Sequence, residues 1–184
     1  MSNSNDFKVD NEQLPREGSV MYNFHHQNEA TKEKTLKRWK KMNNYFIIPL
    51  YRIKLLPVLG FGKIILVLIT KGWKTGKTRR TPLEYRKYEG DILIFAARGE
   101  NATWVKNLRK YPESVSITLG FHQFRTELHS ISEPQKKIDI LKWYITKFGR
   151  AAKTLFGWNP KEDNLNDIDL SKLVRLITIF RLKL

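Results

Sequence analysis

The twelve residues from Lys71 to Pro82 read KGWKTGKTRRTP and concentrate side chains that suit an anion. Five of the twelve are cations, and arginine can grip a phosphate or a carboxylate through two parallel hydrogen bonds. Gly72 and Gly76 permit positive φ, so that neighbouring N–H groups can point into one concavity. Because like charges repel, a turn gains nothing from five cations unless an anion offsets them. The segment therefore predicts an anion-binding loop, with a solvated hairpin turn as the alternative.

The loop resembles a nucleotide-binding P-loop only at first sight. That motif needs four residues between its glycines, whereas Gly72 and Gly76 are separated by three. A P-loop also opens a helix, whereas the residues after Arg79 and Arg80 run into the alternating pattern of a strand. The sequence thus excludes nucleotide hydrolysis of this type.

A second candidate for ligand contact is the predicted helix that Asn101 caps and Pro112 ends. Trp104, Asn107 and Leu108 share one face of this helix, so that an amide lies among apolar side chains. A buried amide needs a hydrogen-bond partner, which is either the backbone or the edge of a ring-bearing ligand. Arg98 and Gly99, which directly follow a strand, place another cation nearby.

Some kinds of chemistry are excluded by composition. The chain has no cysteine, which rules out disulfides, thiolate metal sites and a cysteine nucleophile, and fits a reducing cytosol. The pair His25-His26 has no further ligand at metal-binding spacing, so we predict no metal site. No catalytic acid or base is identifiable. The apolar region 47–70 contains three cations, so we predict no membrane span and a cytoplasmic protein.

The net charge of +16 indicates an anionic partner, and much of the excess lies in the N-terminal part. Residues 32–54 contain eight cations and one anion. The predicted basic helix from Glu29 to about Asn44 carries Leu36, Trp39 and Met42 on one side. This stripe either packs on the domain or lies on an anionic membrane surface, which would make the protein peripheral at the inner face of the membrane.

The predicted organisation is a flexible arm over 1–28, a basic amphipathic helix and linker over 29–56, and a cofactor-binding barrel over 57–184. Strand patterns cover 64–70, 83–88 and 92–97, then two strands hinged at Gly120 within 114–132, and a last strand within 172–184. Pro134 opens a helix that reaches about Phe148, and 149–171 is predicted to be irregular. Six or so antiparallel strands with flanking helices predict a small closed barrel of the α+β class.

The ordered series LVLITKGWKTGKTRRTPLEY and ILIFAARGENATWVKNLRKYPESVSITL resembles the deazaflavin-dependent nitroreductase family. The resemblance covers roughly residues 60–128 and implies a split β-barrel of the FMN-binding-like type. It differs from the family at Glu100, where a second glycine is usual, and at Thr103, where a proline is usual.

The resemblance implies that the barrel binds the 8-hydroxy-5-deazaflavin coenzyme F420, with FMN as the second choice. Lys74 and Arg79 match the residues that hold the anionic tail, which carries a phosphodiester and several carboxylates. Thr81, Pro82 and Leu83 match the backbone along the ring. The complete set of implied cofactor-binding residues is Lys74, Thr75, Arg79, Arg80, Thr81, Pro82, Leu83, Ala97, Arg98, Gly99, Trp104 and Asn107.

The resemblance implies an oxidoreductase that passes hydride from reduced F420 to an electron-poor, hydrophobic acceptor of the quinone or nitro type. One alternative keeps the fold and binds FMN, FAD or haem. Another is a non-enzymatic basic barrel that binds membrane or nucleic acid through stacking aromatics, and of these partners nucleic acid is the less favoured. The sequence leaves the oligomeric state open between monomer and homodimer.

Overall fold

The computed structural model describes residues 13–183, which divide into two compact units. The first, the helical unit, joins the N-terminal residues up to Lys32 with Ser132–Ile177. The second, the barrel unit, comprises Glu33–Ile131 and the last strand from Thr178 onward. All the predicted cofactor-binding residues fall in the barrel unit. The three-part division predicted from the sequence stays a prediction.

The described helices and strands follow one another in this order: α1 Val20–His26, α2 Glu29–Met42, a π-helical stretch Asn43–Ile47, α3 Ile48–Arg52, α4 Leu55–Val58, a 3₁₀ turn Phe61–Lys63, β1 Ile65–Lys71, β2 Thr78–Tyr88, β3 Asp91–Ala96, a 3₁₀ turn Gly99–Asn101, α5 Thr103–Lys110, β4 Ser116–Leu119, β5 His122–Arg125, β6 Leu128–Ile131, α6 Pro134–Lys147, α7 Gly149–Phe156, α8 Ser171–Leu176 and β7 Thr178–Leu182. This mixture of helices around one antiparallel sheet confirms the predicted α+β class.

The described strands form one antiparallel seven-stranded sheet in the order β5-β4-β1-β2-β3-β7-β6. The predicted meander of β1, β2 and β3 is confirmed. The prediction of two strands within 114–132 is wrong, because three strands form there. Thr126 and Glu127 interrupt the pattern, so that β5 pairs with β4 whereas β6 pairs with β7.

The sheet curls so that its two edges meet at Thr126. β5 and β6 lie at opposite ends of the strand order, yet only Thr126 and Glu127 separate them along the chain. The Thr126 hydroxyl donates to the carbonyl oxygen of Lys183, 3.0 Å away, and its N–H donates to the carbonyl oxygen of Val115 at 3.4 Å. In the described ladders β5 and β6 do not pair with each other, so the sheet is a curled half-barrel that does not close fully, which confirms the split β-barrel that the resemblance implied.

The concave side of this sheet holds the main core of the barrel unit. Inward-facing side chains of the strands pack with α5, whose Trp104, Val105 and Leu108 are buried. A smaller cluster on the other face of β1 joins Val67 to Tyr51 and Leu56. Since β1 is buried on both faces, its continuous apolar sequence is explained.

The helical unit is built from α1, α6, α7 and α8. Leu14 and Met21 are almost fully buried, and Arg16 forms an ion pair with Asp163, with 2.7 Å between Nη1 and Oδ2. The described part of the predicted flexible arm, residues 13–28, is therefore folded. Residues 1–12 of that arm lie outside the described part of the chain. The helices α7 and α8 lie within segments that were predicted to be irregular and extended, respectively.

Candidate functional site

The loop between β1 and β2 has a fixed shape that its own backbone maintains. The Gly72 N–H donates to the Lys77 carbonyl oxygen at 2.8 Å, and the Gly76 N–H donates to the Gly72 carbonyl oxygen at 2.7 Å. Gly76 has a φ of +65°, as predicted. Gly72 does not have a positive φ, and glycine is required there because a side chain would have no room. A Cβ atom at Gly72 would lie 3.2 Å from Arg79 Nε and from the Lys77 carbonyl oxygen. The loop is thus a structured turn, and residues 74–80 within and after it are exposed.

Asn107 fastens this loop to α5. Its side chain is 2% exposed, and its Oδ1 accepts a hydrogen bond from the Trp73 N–H at 2.9 Å. Its Nδ2 donates to the Thr70 hydroxyl at 3.1 Å, and Lys110 Nζ donates to the Trp73 carbonyl oxygen at 2.9 Å. The amide that stood out in the sequence therefore has protein partners, chiefly the backbone, which is the first of the two predicted alternatives.

Cations dominate the surface around the loop. Lys74 Nζ lies 5.0 Å and Lys106 Nζ 5.7 Å from the centroid of the Trp73 ring. Arg79 is exposed, and its Nη2 donates to the Thr75 hydroxyl at 3.3 Å. The sequence contains no Asp or Glu between Glu33 and Glu84, so no acidic neighbour in this long stretch offsets the charge. Such a surface attracts and can retain a multiply charged anion.

The register of β1 and β2 divides the predicted site residues between two faces of the sheet. Thr81 pairs with Leu68 and Leu83 with Leu66, so these side chains lie on the face of the main core. Arg79 pairs with Thr70 and follows the same alternation. Arg80 and Pro82 pair with Ile69 and Val67, which belong to the opposite face and its smaller cluster. One ligand on the core face can therefore meet the side chains of Arg79 and Thr81 but not those of Arg80 and Pro82.

β2 has an edge without a strand partner over its first half. It pairs with β1 along Thr78–Glu84, but with β3 only along Tyr85–Tyr88. The Tyr85 N–H donates to the Ile64 carbonyl oxygen at 2.9 Å, so odd-numbered residues point their N–H groups toward β1 and even-numbered ones toward the open edge. Pro82 is one of the even-numbered residues, and its missing N–H costs no ladder hydrogen bond there.

Ala97, Arg98 and Gly99 directly follow β3, the strand that pairs with the second half of β2. If the β2–β3 register of Tyr85 with Ile94 continued, Ala97 would face Pro82 and Gly99 would face Arg80. The ladder between β2 and β3 ends at Tyr85 and Ile94, so the two strands part at this point and leave an opening between them. Gly99 is buried with a φ of +52°, and Arg98 Nη2 donates to the Asn101 carbonyl oxygen at 3.1 Å. Burial lowers the pKa of the Arg98 guanidinium from its ordinary value, yet the group stays charged at neutral pH.

Trp104 is a core residue more than a surface one. It is 9% exposed, and its ring centroid lies 5.5 Å from that of Phe180.

The predicted cap of α5 by Asn101 is wrong, because Asn101 belongs to the 3₁₀ turn and Ala102 precedes the helix. Of the remaining predicted residues, Lys74 and Thr75 lie in the loop, and a common site for the whole set stays a prediction.

Glu100 has a role that the sequence did not reveal. Its two carboxylate oxygens accept hydrogen bonds from Arg109 at 2.8 and 3.2 Å, and Oε1 also accepts from the Thr178 hydroxyl at 3.2 Å. Arg109 donates further to the Ser130 hydroxyl at 3.1 Å, and the bond to Glu100 raises the pKa of Arg109. The carboxylate thus connects the 3₁₀ turn Gly99–Asn101 to α5 and β7. The two residues lie nine positions apart on different elements, so no local spacing signals the pair.

Other kinds of site find no support in residues 13–183. In this part of the chain no group of three or more His, Cys, Asp or Glu side chains could hold a metal ion. Across the same residues, no helix combines the length and apolar character that a membrane span requires. The exposed loop cations and the β2 backbone edge that no strand covers together suit an anionic ligand.

Comparison with known proteins supports this interpretation. Residues 57–143 match the model of a family described as F420H(2)-dependent quinone reductase. The matched segment contains the loop, β1 to β6 and α5, which are the elements that build the opening. The predicted resemblance to deazaflavin-dependent oxidoreductases is thereby confirmed.

Solved structures are more distantly similar. An F420-H2 dependent reductase, FDR-A, shares 20% identity over 66% of this chain and 95% of its own, with a TM-score of 0.44. Rv2991 from Mycobacterium tuberculosis shares 15% over 67% of this chain and 77% of its own, with a TM-score of 0.45. ChuZ from Campylobacter jejuni shares 11% over 86% of this chain and 55% of its own, also at 0.45. At these TM-scores the similarities add nothing to the family match.

Proposed function

Because residues 57–143 match the model of the F420H(2)-dependent quinone reductase family, we infer that this protein is an oxidoreductase that uses reduced F420 to reduce a quinone-like acceptor. The observation that carries this conclusion is the cationic loop beside the open edge of β2. A single-phosphate flavin needs fewer cations than the loop provides, whereas the tail of F420 has several anionic groups. The residues present therefore fit this cofactor.

We propose that Lys74 and Arg79 hold the anionic tail. Both are exposed cations of the fixed loop, and Arg79 lies on the core face of β2. Asn107 contributes indirectly, because it accepts from the Trp73 N–H while its bond to the Thr70 hydroxyl holds the amide in place, and the Trp73 backbone positions the neighbouring Lys74. Arg80 lies on the opposite face and makes a smaller contribution in this arrangement.

The ring would lie along the open backbone edge of β2, opposite Ala97, Arg98 and Gly99. In this position the backbone N–H and C=O groups of Arg80, which point away from β1, would hydrogen-bond the ring's polar edge. The half-buried Thr81 and Leu83 provide partly apolar walls that limit contact with water. F420 supplies hydride chemistry when bound, whereas the protein supplies binding, orientation and exclusion of water.

An anaerobic assay tests this function directly. Oxidation of reduced F420 is followed by its absorbance while a water-soluble benzoquinone is added, with NADPH as the control donor. We expect turnover with reduced F420 and none with NADPH. Absence of turnover with reduced F420 and a range of quinones would contradict the proposed reaction.

A second proposal is that α2 attaches the protein to anionic membranes. The helix has no buried residue, and Trp39 and Met42 remain exposed on its apolar stripe. This observation favours the surface alternative over packing. Each cation near an anionic lipid surface contributes about 1 kcal/mol before screening.

Vesicle sedimentation tests the role of α2. Deleting the N-terminal residues would be a poor experiment, because Leu14 and Met21 are buried in the helical unit. The triple substitution Lys37→Gln, Lys40→Gln and Lys41→Gln keeps the helix and removes three exposed cations. We expect salt-sensitive sedimentation of the wild type with anionic vesicles and a clear loss in the variant. Equal sedimentation of both proteins would overturn this role.

A further inference from the structure

A continuous group of large apolar side chains faces outward between α3 and β1. Ile53 and Val58 are each 69% exposed and Leu59 is 62% exposed, and Leu55 and Phe61 are exposed as well. Phe121, at the turn between β4 and β5, is 52% exposed. We call these six side chains the apolar ridge. Exposed apolar groups of this density mark a surface that another molecule covers.

The ridge is one surface, because the β4–β5 turn lies against the segment that carries the other five residues. A Cβ atom placed on Gly62 would lie 3.2 Å from the Cα of Gly120. The Gly120 N–H donates to the Tyr51 hydroxyl at 2.9 Å, and Lys54 Nζ lies 5.7 Å from the centroid of the Phe121 ring. Phe121 is therefore fixed beside α3 and α4.

The inner side of the same segment already packs against the barrel unit. Tyr51, Leu56 and Pro57 are buried, and the first two belong to the cluster beneath β1. The segment is thus apolar on both its inner and its outer side. A short helix with this distribution is expected to be covered on both sides, and residues 13–183 provide cover only on the inner one.

Charge decides which molecule provides the outer cover. Three exposed cations lie within or next to the segment that carries the ridge: Arg52, Lys54 and Lys63. Residues 34–83 as a whole contain thirteen Lys and Arg and no Asp or Glu. A second copy of this basic chain would be repelled, and nucleic acid would leave the apolar side chains in water. An anionic bilayer offers negative headgroups at the surface and acyl chains beneath them.

We propose that the apolar ridge inserts into the acyl region of an anionic bilayer, with its interspersed cations at the headgroups. This proposal rests on the proposed function in one respect: the contact would serve a quinone-like acceptor dissolved in the membrane. It goes beyond attachment through α2, because it assigns insertion to side chains on α4 and on a β-turn of the barrel unit.

Site-specific fluorescence measures insertion directly, because the chain has no cysteine. Single variants Val58→Cys and Phe121→Cys are labelled with the environment-sensitive dye NBD in the otherwise unchanged full-length protein. Val20→Cys is the matched control, since Val20 is 43% exposed and lies on α1 in the helical unit. Vesicles contain phosphatidylcholine with about a third phosphatidylglycerol.

Insertion predicts a blue-shifted and several-fold brighter emission from positions 58 and 121 when vesicles are added, together with quenching by lipids spin-labelled on their acyl chains. Position 20 should change little. Unchanged emission at 58 and 121 while the protein sediments with the vesicles would overturn the proposal and leave attachment through α2 intact. Blue-shifted emission without vesicles, with a dimer in analytical ultracentrifugation, would show that a second copy covers the ridge. Absence of vesicle binding at low salt would also overturn it.

A charge substitution tests whether the apolar ridge is required for vesicle binding. Val58→Glu should weaken vesicle binding about tenfold or more, because it removes one inserted apolar side chain and adds an anion. Val20→Glu changes the total charge equally and should have a much smaller effect. Both variants should reduce a water-soluble quinone as the wild type does. Failure of this soluble reaction in the wild type would count against the proposed enzymatic function and not against insertion.

Discussion

At the scale of single residues, Asn107 shows how one buried amide can position a binding loop. It accepts from the Trp73 N–H and donates to the Thr70 hydroxyl. Asn107→Ala would leave the Trp73 N–H and the Thr70 hydroxyl without their hydrogen bonds to this amide, in a buried environment. Unsatisfied buried groups cost roughly 1–3 kcal/mol each.

We therefore expect Asn107→Ala to lower the melting temperature and to weaken F420 binding. Thr70→Val is the matched control, because it removes only the hydroxyl partner and leaves the Trp73 bond intact. This control should retain most of the F420 affinity. Thermal unfolding and fluorescence titration give the two readouts, and normal binding by Asn107→Ala would show that the loop does not depend on the amide.

Arg79 and Arg80 offer a sharper comparison, because they are neighbours with opposite orientations on β2. Removal of one charged hydrogen bond typically weakens binding about ten- to a hundredfold. We expect this loss for Arg79→Ala and Lys74→Ala, growing with the number of glutamates in the tail. Arg80→Ala should lose less. If Arg79→Ala and Lys74→Ala bind F420 normally, the loop is a turn without a role in tail binding.

At the scale of secondary-structure elements, Tyr51 connects α3 to the β4–β5 turn. Its hydroxyl accepts from the Gly120 N–H at 2.9 Å and lies 3.2 Å from the Ile65 carbonyl oxygen, to which it donates. Burial raises the pKa of Tyr51 above its ordinary value of about 10. The unfolded chain therefore loses this proton at a lower pH than the folded one. Stability should fall as the pH rises above about 10.

The Tyr51→Phe variant tests this assignment. It should be less stable at neutral pH by about 1–3 kcal/mol, because Gly120 loses its acceptor. It should also show a weaker decline in stability above pH 10 than the wild type. Denaturant unfolding at pH 7 and at pH 10.5 measures both effects. A decline of equal size in both proteins would assign the alkaline sensitivity to other groups, such as Tyr85, whose pKa burial also raises.

Several elements were predictable because their signals are local. The continuous apolar run of β1, the alternation of β2 and the proline that opens α6 each predict an element that the structure contains. Other elements depend on tertiary contacts. Thr126 ends β5 by bonding Val115 and Lys183, and neither contact is visible in the sequence around it. The helix α8 replaces the start of a predicted strand, because the buried residues of this segment follow helical spacing: Leu170, Leu173, Val174 and Ile177.

At the scale of the whole molecule, the sequence order indicated a cofactor family, whereas the shape of the opening had to come from the fold. The separation of Arg79 from Arg80 and the unpaired edge of β2 follow from strand register, which residue types alone do not fix. The same holds for the ion pair of Glu100 with Arg109. The cationic loop, in contrast, was recognisable from its composition.

The relative affinity for F420 and FMN tests the central claim most directly. Both ligands are titrated into the full-length protein under identical salt, with fluorescence reporting binding, and a deazaflavin without the phosphate and glutamate tail serves as the control. The loop cations predict that F420 binds at least about tenfold more tightly than FMN and than the tailless compound, with an advantage that shrinks as salt is added. Binding of FMN as tight as or tighter than that of F420 would contradict the account.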